Sequence, residues 1–219
     1  MHSTVQNLIT IENKIKSKLT ILKINKLPKI IAVSKTFKID KIFPLIEYGH
    51  IDFGENKVQE AVDKWTEIKL KNSNIKLHMI GKLQTNKVKF AVKIFDYIHS
   101  VDSQKLAKKI SEEQKKVNKN IKIFIQVNVG NEEQKSGINK NELNTLVSYC
   151  KKINLDVVGL MCIPPLNADS SIYFKEMSLL SKAVILPELS MGMSSDYINA
   201  SENLSTYIRI GSSIFGERF

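Results

Sequence analysis

Hydrophobic positions in this chain switch period again and again. Short runs in which nearly every residue is apolar or β-branched give way to stretches with apolar residues three and four apart. The runs are "KIIAVSK" near Ile30, "IDFGEN" near Ile51, "KLHMIG" near Leu77, "YIHSVD" near Tyr97, "IKIFIQVNVG" near Phe124, "DVVGLMCIP" near Val158, "PELSMGM" near Leu189 and "YIRIGSSIFG" near Ile208. Each reads as a buried strand closed by a polar or glycine-containing turn. Helical spacing between them predicts helices over 39–48, 57–69, 85–94, 103–118, 140–153, 170–183 and 196–204, and an extra N-terminal helix over 2–24. Asp40 and Asn139 sit at helix starts as capping residues.

Strict strand–helix alternation implies βαβ units and parallel pairing. The fold class is therefore α/β, and eight such units predict a single (β/α)8 TIM-type barrel, with a doubly wound sheet as the alternative. No Pro/Gly-rich linker interrupts the pattern, so residues 1–219 are expected to form one domain.

Composition narrows the class of function. Hydrophobic residues make up 42% of the chain, enough for a sizeable core. No apolar run approaches the ~20 residues of a membrane span, and residues 1–19 lack the apolar stretch and cleavage site of a signal peptide. The expectation is a cytoplasmic protein with no membrane partner. The net charge of +11 raises the question of nucleic acid. However, only Arg209 and Arg218 among the 33 basic residues are arginine, and the lysines are scattered. Base readers lean on arginine, so no nucleic-acid partner is expected. Cys150 and Cys162 fit no metal spacing and read as buried small hydrophobes.

In a barrel of this kind the chemistry gathers at the carboxyl ends of the strands. Two late stretches, "LSMGMSSD" at 189–196 and "IRIGSSIFGER" at 208–218, carry turns of small residues. Glycine allows close backbone approach, serine adds hydroxyls, and a helix starting just afterwards presents its positive end. Together they suit a phosphate, while one such turn alone would be an ordinary glycine turn. Lys35 ends the first strand. It either snorkels to solvent or is partly buried, and burial would free its amine as a nucleophile. An amine facing a phosphate cradle suits a Schiff base with a phosphorylated aldehyde. His78, on a mostly apolar strand, is either a satisfied core histidine or pocket lining. Met191 and Met193 flank Gly192, one expected in the core and one toward a ligand. Glu55 reads as a supporting partner or a helix-start residue. Lys135, in the loop "NEEQKSG", either swings over the barrel mouth or is a solvated loop lysine.

The motifs "AVSKT" (32–36), "FGENKVQE" (53–60), "HMIGKLQTNK" (78–87), "KSG" (135–137), "GLMCIP" (159–164), "LSMGMSSD" (189–196) and "RIGSSIFGER" (209–218) run in order along nearly the whole chain. In this they resemble the YggS/PROSC family of pyridoxal phosphate homeostasis proteins. The resemblance implies a fold-type III pyridoxal 5'-phosphate (PLP) barrel similar to the N-terminal part of alanine racemase. It implies that Lys35 holds the cofactor, that Ser190, Met191, Gly211 and Ser212 hold its phosphate, that Arg209 lies by the pyridine nitrogen, and that Asn56 lies near the ring. With His78 as pocket lining and Lys135 as a secondary contact, these are the expected cofactor-binding residues. No catalytic residue and no metal is expected. The implied function is to hold and buffer the cofactor, with PLP-dependent apo-enzymes as acceptors, a monomeric state and no efficient reaction. A guanidinium beside the pyridine nitrogen disfavours its protonation and weakens the ring as an electron sink. A racemase-like or aldolase-like enzyme on the same barrel is the alternative. The racemase would require a second domain carrying a tyrosine, for which the chain leaves no room after the eighth strand. The loop near Asn167 is shorter than in some members of the family.

Overall fold

The computed structural model describes residues 1–132 and 134–217. The apolar runs form eight strands: β1 (Lys29–Val33), β2 (Asp52–Glu55), β3 (Lys76–Met79), β4 (Tyr97–Val101), β5 (Lys122–Gln126), β6 (Asp156–Met161), β7 (Glu188–Ser190) and β8 (Tyr207–Ile210). Each pairs in parallel with its neighbour in sequence. β8 returns to β1, with Ile31 opposite Arg209, and the barrel is closed. A doubly wound sheet would keep two free edges, and this sheet has none.

The helices follow the 3.6 period with shorter ends than the pattern suggested. They are α1 (Ser3–Ile21), α2 (Ile39–Glu47), α3 (Val58–Lys71), α4 (Val88–Ile94), α5 (Gln104–Lys116), α6 (Leu143–Lys152), α7 (Ser170–Ala183), α8 (Tyr197–Glu202) and the single turn α9 (Ser212–Phe215). α1 buries Val5, Leu8, Ile11, Ile15 and Leu19, a stripe of threes and fours. It packs on α8, α9 and α2, and Asn7 donates to the Ile214 carbonyl at 2.9 Å. Because α9 is only one turn long, the extra N-terminal helix fills the place of an eighth outer helix and closes the ring.

Two apolar layers result. The larger lies between barrel and helices, with Phe53, Trp65, Leu77, Phe95 and Phe174 wholly buried. The smaller fills the barrel itself with Ile31, Tyr97, Phe124, Met161 and Tyr207. Set among these interior residues are His78, His99 and Arg209, all buried. His78 stacks on Tyr97 and His99 on Phe124, with ring centroids 4.3 Å apart in each pair. Cys150 and Cys162 are buried free thiols, as their surroundings in the sequence implied. Burial pushes them up to about 11 and about 12, so neither is a thiolate at neutral pH.

Among the described residues no helix is long and apolar enough to cross a membrane, and no cluster of His, Cys, Asp or Glu could hold a metal ion.

Candidate functional site

The carboxyl ends of the strands surround a cavity of about 490 Å³ lined by Val33, Lys35, Asn56, Ile80, Gly81, Ile163, Met193, Ser194, Ser195, Arg209, Gly211 and Ser212. The structure thus brings Lys35, Asn56, Arg209, Gly211 and Ser212 together from three separate parts of the sequence. Lys35 and Arg209 are the titratable side chains among the described lining residues, so these residues bring positive charge to the wall.

Lys35 owes its place to an ionic clamp on both sides of it. Before it, Ser34 Oγ donates to Glu55 Oε1 at 2.8 Å. After it, Thr36 takes a φ of 68°, a left-handed conformation that a β-branched residue rarely adopts. The Thr36 N–H is held there by Glu60 Oε1 at 2.5 Å. Lys64 joins the two carboxylates, lying 2.9 Å from Glu55 Oε1 and 3.0 Å from Glu60 Oε1. Its ammonium also donates to the Ser34 carbonyl at 2.9 Å. Burial alone would raise the Glu60 carboxyl, but the Thr36 N–H and Lys64 outweigh it and leave it lowered.

Asn56 lies at the end of β2, and its Oδ1 is buried without a hydrogen-bond partner. Gly81 makes this possible, because a β-carbon there would come within 2.4 Å of the Asn56 carbonyl oxygen. Asn56 and Gly81 therefore pack backbone to backbone at the cavity floor, which no side chain at position 81 would permit.

The small-residue turns supply the far wall. Gly192 has a φ of 92° and turns the chain so that Met193, Ser194 and Ser195 reach the cavity. Asp196 closes that turn by accepting the Met193 N–H at 2.6 Å. The first N–H groups of α9 have no acceptor within their own helix. The Ser213 N–H makes a long contact of 3.4 Å to Ser194 Oγ.

Arg209 donates through Nη1 to Ser190 Oγ at 2.6 Å and through Nη2 to the Cys162 carbonyl at 2.9 Å. Burial lowers its guanidinium, opposed by Cys162 and Asp196. Even so it remains a cation, because arginine titrates far above neutrality.

Four expected contacts lie elsewhere. Ser190 is buried, with its hydroxyl engaged by Arg209 and by His99 at 2.8 Å, so it supports the guanidinium and not the cavity wall. Met191 is fully buried in the layer under the helices. Its N–H donates to the Tyr207 carbonyl at 3.1 Å, and Met193 is the methionine that reaches the cavity. His78 takes the core alternative, bonded to His99 Nδ1-to-Nε2 at 2.9 Å and to Asp52 at 2.9 Å. Lys135 lies outside the lining, 2.6 Å from Glu132 Oε2 and donating to the Pro164 carbonyl at 3.2 Å. Ile80 and the clamp residue Glu60 were not expected, and Ser194 and Ser195 were not among the residues singled out within their turn. The serines belong to a motif already singled out and differ only in lying beyond its glycine.

A closed parallel barrel with a lysine ending β1 and small-residue turns after β7 and β8 defines the class. Residues 10–218 match the family described as alanine racemase, N-terminal domain. The chain is 39% identical to the pyridoxal phosphate homeostasis protein of Aquifex aeolicus over 200 residues, covering 87% of each chain. It is 37% identical to the human protein of the same name over 211 residues, covering 87% of this chain and 77% of the human one. PipY of Synechococcus elongatus, solved with PLP bound, superposes with a TM-score of 0.78 at 32% identity, covering 92% of this chain and all of that one. The chain belongs to the pyridoxal phosphate homeostasis protein family.

Proposed function

We propose that this protein binds pyridoxal 5'-phosphate in the Lys35 cavity, holds it reversibly and releases it to apo-enzymes, as a cytoplasmic monomer with no efficient reaction of its own. The observation that carries the reading is the donor set of one cavity. It offers an amine for an aldehyde, a guanidinium for a ring nitrogen, and hydroxyl and N–H groups of Ser194, Ser195 and Ser212 for a phosphate. The buried, unpartnered Asn56 Oδ1 awaits a donor from a ligand. These groups fit the cofactor. The relatives' names and the PLP-bound PipY structure point the same way.

When bound, PLP would supply an electrophilic carbonyl carbon and an electron-withdrawing ring. The rest is done by the chain. Lys35 provides the amine at a position fixed by its clamped neighbours. Arg209, already a cation, would face the ring nitrogen, donate to its lone pair and keep it unprotonated, which would weaken the ring as an electron sink. The described residues lining the cavity include no carboxylate, histidine or tyrosine placed to shuttle a proton. Binding strength is therefore built in without the paired acid and base of an efficient catalyst.

Titrating the purified apo-protein with PLP tests this directly. A visible absorbance band saturating at one equivalent, and erased by borohydride, is expected. A protein that gives no band and retains no cofactor on gel filtration overturns the reading.

Should the cofactor leave by transfer to a second amine, Lys135 in the loop after β5 would be that amine. The Lys135→Ala protein is expected to bind PLP as tightly as the parent, since the residue lies outside the lining. Transfer to an apo-enzyme is expected to slow severalfold. Equal transfer rates would leave Lys135 as a loop residue paired with Glu132.

A further inference from the structure

Arg209 is one end of a hydrogen-bonded chain that runs through the barrel interior. Its Nη1 donates to Ser190 Oγ at 2.6 Å, and Ser190 Oγ lies 2.8 Å from His99 Nδ1. His99 Nε2 lies 2.9 Å from His78 Nδ1, and His78 Nε2 lies 2.9 Å from Asp52 Oδ1. Ser190, His99 and His78 are fully buried. Asp52 is the first residue of β2, at the end of the barrel opposite Lys35. There it borders a separate cavity of about 410 Å³ shared with Glu12, Lys16, Lys29 and His50.

The two ends fix the direction of every bond between them. A guanidinium only donates and a carboxylate only accepts. With Arg209 donating to Ser190, the single serine proton goes to His99 Nδ1. A neutral His99 then carries its proton on Nε2 and donates to His78 Nδ1. His78 likewise carries its proton on Nε2 and donates to Asp52. This is the one arrangement with both histidines neutral that satisfies each contact. A cationic His99 would point a proton at Ser190 beside the Arg209 charge. Burial lowers both histidines, His99 most, where His78 and Arg209 add to the effect. Burial would raise Asp52, but the hydrogen bond from His78 and the nearby Lys29 cation hold it below the usual value.

We propose that Asp52, His78 and His99 are positioning residues for Arg209, forming a one-way hydrogen-bond chain that keeps the Ser190 lone pair toward the guanidinium and so fixes the guanidinium at the cavity wall. The consequence for the cofactor ring rests on the PLP reading above. The surroundings argue against mere filling. The neighbouring interior side chains are Ile31, Phe124, Met161 and two tyrosines, Tyr97 and Tyr207, and a broken polar network beside them is worse than an apolar one. Only an unbroken chain is tolerated, and its far end is the residue that faces the ring nitrogen.

The test begins on the apo-protein. Imidazole nitrogen NMR at neutral pH should show both His78 and His99 as neutral Nε2–H tautomers. Three variants follow, with folding checked by circular dichroism. Asp52→Asn keeps an acceptor for His78 and should leave the Arg209 Nη–H signals slowly exchanging. Asp52→Leu and His99→Phe remove a link and should broaden those signals and weaken PLP affinity about tenfold. An Nδ1–H tautomer on either histidine overturns the proposal, whatever the variants do. So does a folded Asp52→Leu protein with the parent's Arg209 signals and PLP affinity. Expected tautomers and Arg209 changes in a protein that takes up no PLP uphold the positioning chain and overturn the cofactor reading alone.

Discussion

Replacing Lys35 with alanine is expected to abolish borohydride-stable attachment of PLP completely. Lys35 is the one amine among the described residues lining the cavity, and Lys135 stands outside the lining, held by Glu132 and the Pro164 carbonyl, so it is not expected to hold the cofactor in place of Lys35. The polar groups that face the rest of the cofactor remain in place, and reversible binding should survive. Losing the lysine also removes one charge-assisted contact, about 1.5–3 kcal/mol, or roughly ten- to a hundredfold in affinity. The measurement is peptide mapping after borohydride treatment, alongside equilibrium dialysis. Full-stoichiometry fixation on another lysine of the variant would refute the assignment. The variant keeps the clamp around position 35, which is made by Ser34, the Thr36 N–H, Glu55, Glu60 and Lys64.

The same clamp shows what a sequence can and cannot carry. Strands and helices were legible because their periods differ and each turn is marked by small or polar residues. Barrel closure followed from eight alternations. The role of α1 was not legible, because it depends on α9 being too short to cover its own strand, and "SSIF" reads equally well as the end of β8. At the site, Lys35, Asn56, Arg209, Gly211 and Ser212 converge as their motifs implied. Ser190 and Met191 do not line the cavity, although "LSMGMSSD" reads in the sequence as one continuous stretch. Successive strand residues face opposite sides, so Ser190 enters the barrel interior and Met191 the outer layer. The stretch that lines the cavity begins only where Gly192 turns the chain. The chain from Asp52 to Arg209 draws one residue from each of β2, β3, β4, β7 and β8. No local pattern announces such a set; the only hint is a histidine in each of two neighbouring apolar strands.

Glu55 carries the second large effect, on stability. Its carboxylate is wholly buried. Oε1 accepts from Ser34 Oγ, Lys64 Nζ at 2.9 Å and Trp65 Nε1 at 3.0 Å, while Oε2 has no hydrogen-bond partner. Such a group is costly to bury and costlier to remove, because its donors stay behind. In a Glu55→Ala protein the Trp65 indole N–H and the Ser34 hydroxyl lose their acceptor, and Lys64, only 11% exposed at its side chain, keeps Glu60 alone as an ionic partner. Removing one member of a buried ion pair costs about 3–5 kcal/mol. Glu55→Gln retains an acceptor oxygen at similar volume and loses only the charge, so a smaller cost of about 1–3 kcal/mol is expected. Urea denaturation should show both midpoints lowered at constant slope, alanine further than glutamine. The glutamine variant should still fix PLP on Lys35, since Ser34 keeps its acceptor. An alanine variant as stable as the parent would mean that the carboxylate's burial cost already cancels its three hydrogen bonds, and the clamp would then hold Lys35 through Glu60 and Lys64 alone.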